Sequence, residues 1–220
     1  MKKVAILASL AGALIMTAYA GNTTKTENAV VTTEVTTTPA KGRVYNAVIE
    51  KSEVKWNGKK VTGEHFGTIG VKSGNLVVNK NKVTGGKFVI DMNAITVTDI
   101  TDAEYNGKLV GHLKSDDFFG VEKHPTATFE IKALAPIAKA AAGKPNYKVN
   151  GLLTIKGITK PVSFPATITV KDGVANAKAD VTVNRANYDV KFGTETFFGS
   201  LGDKAIMDDF TVSFNVTAKQ

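Results

Sequence analysis

Gly111-His112-Leu113-Lys114-Ser115-Asp116-Asp117-Phe118-Phe119, continuing to His124-Pro125-Thr126-Ala127-Thr128-Phe129-Glu130-Ile131, is the stretch on which the fold turns. It joins the end of an expected helix to a loop with two adjacent phenylalanines, then to a strand that opens after a proline. Upstream, Thr101-Asp102-Ala103-Glu104 matches a capping box with Thr101 as N-cap. Tyr105, Leu109 and Leu113 then fall on one helical stripe. One helix is therefore expected over about 101–115, weakened by Gly107 and Gly111 at about 1 kcal/mol each.

On either side of that helix the hydrophobic period is two. Val54 and Trp56 share one strand face with Lys55 on the other. Residues 61–72 give a second strand holding His65, Phe66 and Ile69; Ser73-Gly74-Asn75 is expected to turn into Leu76-Val77-Val78. In 83–92, Phe88, Ile90 and Met92 alternate with Lys87, Val89 and Asp91, and Gly85-Gly86 signals a bulge or bend. After the helix, Ala127, Phe129 and Ile131 share a face. Strands follow over 147–156 and 162–171, the second carrying Phe164, Ala166 and Ile168 inward, with Pro165 expected at a bulge or on an edge. Asp172-Gly173 is a hairpin signal leading to Ala175, Ala177, Ala179, Val181 and Val183 on one face. Phe210, Val212, Phe214 and Val216 close the series. About eight such antiparallel strands and one helix describe an all-β barrel or sandwich; the long two-faced strands and glycine pairs favour the barrel.

A chain of 220 residues, 43% hydrophobic with mean hydropathy −0.04, can bury a globular core. It has no cysteine, hence no disulfide, thiolate metal site or cysteine nucleophile. Residues 1–20 are expected to be an export signal: Lys2-Lys3, an apolar run from Val4 to Met16, and the cleavage motif Ala18-Tyr19-Ala20. The Thr-rich stretch 21–41 is expected to be a flexible leader, leaving 42–220 as the barrel domain. Without Lys2 and Lys3 the net charge falls from +8 to +6. Its lysines are dispersed as on solvated strand faces, which with export argues against nucleic acid as a partner.

A barrel of about eight strands is either filled by its side chains or holds one small ligand. The inward set mixes Trp56, Phe88, Phe129, Phe164 and Phe214 with the small row Ala175, Ala177 and Ala179. The pattern alone leaves a filled and a hollow interior equally open.

Several blocks, in order over roughly 44–218, resemble the YceI-like family of lipocalin-type lipid-binding proteins. They include Trp56-Asn57-Gly58, His65-x-Gly67-x-Ile69, Gly86-Lys87-Phe88-Val89-Ile90-Asp91-Met92, and the His112 to Phe129 stretch quoted above. Val149-Asn150-Gly151-Leu152-Leu153-Thr154-Ile155-Lys156-Gly157, Asn184-Arg185-x-x-x-Tyr188 and Leu201-Gly202-Asp203 complete the match. Lys51-Ser52 stands where many members have His-Ser, and Val110-Gly111 where many have Arg-Asp.

The resemblance implies an extended lipocalin-like barrel, periplasmic or secreted, holding a polyisoprenoid or similar long-chain lipid, with no assigned reaction. The interior residues expected to touch the lipid are Trp56, Phe66, Phe88, Ile90, Met92, Leu109, Leu113, Phe119, Phe129, Ile131, Leu153, Phe164, Ile168, Ala177, Ala179, Tyr188 and Phe214. His65, His112, Lys114 and Arg185 are the candidates for its head group. Arg185 has a competing role, since it can pair with Asp180, Asp189 or another carboxylate instead of clamping an anionic head.

The three histidines lack metal-ligand spacing, and no metal or other cofactor is expected. The sequence has no Gly-x-Ser-x-Gly elbow, phosphate-binding glycine loop or His-Glu-x-x-His. Asp116-Asp117 and Asp208-Asp209 are adjacent pairs that point apart on a strand, which disfavours shared-proton chemistry. The expectation is a binding protein, not an enzyme. It would act as a monomer or homodimer with transient membrane contact. The alternative is a packed barrel serving structural or interaction roles in the cell envelope.

Overall fold

The computed structural model describes residues 41–199 and 201–220. The expected export signal 1–20 and the leader 21–41, Lys41 apart, lie outside them. Nine strands run in chain order as β1 (Arg43–Ala47), β2 (Glu53–Lys60), β3 (Gly63–Asn79), β4 (Lys82–Asp91), β5 (Thr126–Pro136), β6 (Tyr147–Ile155), β7 (Ile158–Lys171), β8 (Val174–Asn184) and β9 (Ile206–Lys219). The helix α1 (Ala103–Lys114) lies between β4 and β5, and the single turn α2 (Glu195–Phe198) between β8 and β9.

Every pairing is antiparallel. β2 through β9 close into an eight-stranded barrel in the order β3-β2-β9-β8-β7-β6-β5-β4, with β3 returning to β4. The ninth strand, β1, pairs with β3 at Arg43–Val78 and with β9 at Ala47–Ala218, so it shares one slot of the wall with β2. Closure leaves no sheet edge along most of the wall.

Two hydrophobic cores follow from this arrangement. The larger lines the inside of the barrel and includes Leu76, Val149, Ala175, Tyr188 and Ala218. The smaller covers one end, where Trp56, Ile95, Val97, Leu113, Phe118 and Val190 pack under α1. Ile69 and Phe119 touch both. Gly67 makes the cap possible: a Cβ there would meet the Thr96 carbonyl oxygen at 1.9 Å. The 96–98 segment lies directly on β3, through Thr96 N–H to Thr68 O and Thr98 N–H to Phe66 O, both at 2.9 Å. The Trp56 indole also donates to Thr96 O at 2.9 Å.

Two local expectations are corrected and two are met. The N-cap of α1 is Asp102, not Thr101; its Oδ1 accepts from Tyr105 N–H at 2.9 Å, and Glu104 instead pairs with Lys108. The expected turn at Ser73-Gly74-Asn75 is the middle of the 17-residue strand β3, bulged between Val71 and Ser73. Gly74 serves the facing ring rather than a turn, because a Cβ there would lie 2.2 Å from Phe88 Cδ1. Gly85-Gly86 does flank a register shift, opposite Val77 and Val78. Pro165 sits inside β7, paired with Lys148 of β6, in a part of the strand that has no β8 partner.

Candidate functional site: an apolar cavity inside the barrel

The barrel interior holds a partly enclosed cavity of about 150 Å³ whose lining side chains are all apolar. Its existence follows from residue sizes on the inner face. Phe88 lies flat over Gly74, and Phe129 over Gly151, where a Cβ would stand 2.4 Å from Phe129 Cε2. Laying rings against glycine keeps them on the wall and leaves the centre empty. Ala127, Ala166 and Ala177 also line the space without reaching across it. Phe164 packs against Phe129 at 5.5 Å and edge-on to Phe214 at 5.8 Å between centroids, so three rings from β5, β7 and β9 border the cavity together. An apolar cavity of this kind stays dry and accepts an apolar guest.

Of the expected lipid contacts, Phe88, Ile90, Met92, Phe119, Phe129, Ile131, Leu153, Phe164, Ile168, Ala177 and Phe214 line the cavity. The remaining six lie elsewhere. Trp56, Leu109 and Leu113 belong to the cap core, because β2 outruns the lumen and α1 covers the barrel end rather than entering it. Phe66 is 43% exposed: the period of two puts it on the face opposite Ile69. Tyr188 is buried in the main core beyond the cavity wall, and burial raises its phenol pKa. Ala179 is half-buried against the same core. The alternation in β2, β3 and β9 also gave Val54, Ile69 and Phe210, which line the cavity but were not singled out.

None of the four head-group candidates lines it. His65 Nδ1 lies 2.7 Å from Asp99 Oδ2. Burial raises the Asp99 carboxyl, but its bonds from the Phe66 N–H and from His65 outweigh this and hold it below the usual range. His112, on α1, lies 3.3 Å from Asp117 and meets the rings of Phe118 and Phe192 edge-on. Lys114 is half-buried at the end of the same helix.

Arg185 departs furthest from expectation. It is 4% exposed and donates to the carbonyls of Met207, Val190, Phe192 and Ile206 at 2.8–3.0 Å, with Asp208 at 3.7 Å. Burial lowers its pKa and Asp208 partly restores it. Its donors are spent on backbone, tying residues 190–192 and 206–207 to the end of β8, so they do not face a ligand. No group of three metal-ligating side chains forms among the described residues.

The sequence model of the YceI-like domain matches residues 45–218. The chain belongs to the YceI-like family. Curated relatives include a UPF0312 protein of Azotobacter vinelandii, 31% identical over 101 residues, 46% of this chain and 47% of that protein. The Staphylococcus aureus protein SA2479, also UPF0312, is 36% identical over 88 residues, 37% of this chain and 46% of that one. The matches thus span about half the length of these relatives. Among solved structures, Burkholderia cenocepacia BcnA superposes with TM-score 0.59 at 24% identity, covering 79% of this chain and 99% of that one. A polyisoprenoid binding domain from Saccharophagus degradans gives TM-score 0.58 at 18% identity, covering 80% and 97%. At these identities the two structures show a shared YceI-like barrel.

Proposed function

We propose that this YceI-like protein binds a long apolar lipid, a polyisoprenoid or related amphiphile, inside its barrel, for carriage or sequestration outside the cytoplasm. The observation that carries this is the cavity itself: a partly enclosed space of about 150 Å³ with a wholly apolar wall, in a barrel that could have been filled. The Saccharophagus degradans domain of the same fold, described as polyisoprenoid binding, supports the same ligand class. Each methylene moved from water into such a space contributes about 0.8 kcal/mol. Binding without a catalysed reaction is the reading, since no titratable side chain reaches the lining. Export rests on the signal-like pattern at 1–20.

The test is solvent extraction of the purified protein followed by mass spectrometry, together with titration of the delipidated protein with farnesol and longer prenyl alcohols. A stoichiometric long-chain lipid, or saturable binding that tightens with chain length, is expected. An empty extract and no binding would overturn the proposal and leave the packed envelope barrel.

A further inference from the structure

The barrel wall is not hydrogen-bonded all the way round. The β7–β8 ladder runs only from Lys171–Val174 to Thr167–Lys178 and then stops. Beyond it, residues 161–166 of β7 remain paired with β6, and 179–184 of β8 with β9. Between these lips the wall has a seam. The Thr167–Lys178 rung bounds it at one end. At the other stands the 3-10 turn Arg185–Tyr188, tied across by Lys156 Nζ to Asp189 O at 2.8 Å.

Strand parity fixes which backbone groups face the seam. Ala166 O accepts from Asn146 N–H and Ile168 N–H donates to Asn146 Oδ1, so even residues of β7 turn towards β6 and odd ones towards the seam. Gly173 O accepts from Gln220 N–H, so odd positions on β8 face β9 and even ones the seam. The groups on the seam are therefore those of Pro161, Ser163 and Pro165 on one lip and Asp180 and Thr182 on the other. Two of the three positions on the β7 lip are prolines, which have no N–H to donate. That lip cannot be completed by an added strand. Ser163, Asp180 and Thr182 present amide N–H groups, with carbonyls beside them, and no hydrogen bond to these amides from across the seam occurs among the described residues.

The same lips line the cavity from within, through Val162, Phe164 and Ala166 on β7 and Val181 and Val183 on β8. The seam is thus the place where an apolar lumen without polar groups meets unpaired backbone donors and acceptors. The cavity is only partly enclosed, so part of an amphiphile held in it extends out of the wall.

Resting on the lipid reading above, we propose that the β7–β8 seam is the head-group site. The lipid tail occupies the cavity, and a hydroxyl head sits between Ser163, Asp180 and Thr182. A strand edge offers donors and acceptors together, which suits a hydroxyl, itself both. An anionic head is disfavoured because the Asp180 side chain, held by Ser213 Oγ at 2.5 Å, stands at the rim.

The test uses the full chain labelled with nitrogen-15, delipidated, and followed by amide hydrogen exchange and NMR titration with farnesol and with farnesyl diphosphate. In the free protein the amides of Ser163, Asp180 and Thr182 should exchange fast, while those of Val181 and Val183, bonded to β9, exchange slowly. Farnesol should shift and protect the three seam amides and bind more tightly than the diphosphate. Ser163→Pro, which repeats the Pro161 and Pro165 pattern and removes one donor, should weaken farnesol about 2- to 10-fold without changing Val181 or Val183 protection. Slow exchange of the seam amides in the free protein would overturn the site. So would farnesol binding that shifts α1 or the His65 region instead, or tighter binding of the diphosphate. Absence of any farnesol binding would overturn the lipid reading as well, and the site with it.

Discussion

Ala177→Leu separates a hollow barrel from a packed one, because stability and binding should move in opposite directions. Ala177 is 8% exposed on the inner face of β8, lines the cavity, and pairs with Ile168 and Val216. Leucine adds three carbons there. If they enter empty space, burial at about 0.8 kcal/mol per carbon gives an upper bound of about 2.4 kcal/mol, with about 1–2 kcal/mol surviving imperfect packing. The same carbons displace an equal length of ligand chain. That loss of about 2.4 kcal/mol corresponds to a Kd about 60-fold weaker.

The control is its neighbour on the same face. Ala175 is fully buried in the main core and does not line the cavity. Ala175→Leu should overpack and destabilise by about 1–3 kcal/mol. Urea unfolding of the delipidated variants measures stability, and titration with farnesol measures binding. Stabilisation by Ala177→Leu with loss of binding, against destabilisation by Ala175→Leu, is the expected pattern. If both leucines destabilise alike, the space beside Ala177 is not a cavity and the argument from small inward residues fails.

Other perturbations probe the supports of the same cavity. Gly74→Ala should drive the Phe88 ring off the wall and into the lumen, destabilising by about 1–3 kcal/mol and weakening prenyl-alcohol binding; unchanged binding would show that the ring has room elsewhere. Arg185→Lys should cost about 3 kcal/mol in urea unfolding, since a compact ammonium cannot serve four carbonyls at once, while an intact Kd for farnesol in the surviving fold would confirm that this arginine holds backbone and not ligand. Burial raises the Asp208 carboxyl, but bonds from the Thr194 and Thr196 hydroxyls and the charge of Arg185 more than reverse this, so it titrates below its unfolded value. Its stabilisation is therefore complete above about pH 4–5 and is lost as the pH falls through the folded value. The thermal midpoint should drop on acidification below about pH 4, less steeply in Asp208→Asn than in the parent; equal slopes would remove Asp208 from the acid response.

What could be read from the residues, and what could not, divides along a physical line. Alternation with period two is a local signal, and it located the faces of β4 through β9 because each inner residue has two outward neighbours that declare the phase. Glycine carries no such phase. Gly74 in Ser73-Gly74-Asn75 has the same local signature as a turn, and only the ring of Phe88, fourteen positions away in sequence and directly opposite in the sheet, shows that the strand continues. Trp56 has the right parity for the lumen, yet it belongs to the cap. Parity gives the side of a strand and not the height along the barrel, which depends on where α1 and residues 95–97 come to rest. Arg185 was ambiguous for a related reason. Its partners are backbone carbonyls on distant segments, and a carbonyl has no letter in the sequence. The prolines of β7 lie between these cases. Pro165 announced an unpaired N–H position, as its chemistry requires, but that the missing rung belongs to a seam shared with Pro161 follows only once β8 is seen to leave β7 after Lys178. Prolines at two of the three seam-facing positions on one lip keep that seam from being closed by a strand, and the alanines and glycines behind it keep the lumen from being closed by side chains. Two independent choices of residue type hold the barrel hollow and hold it open at the same place, which is the combination that an internal ligand with an external head group requires.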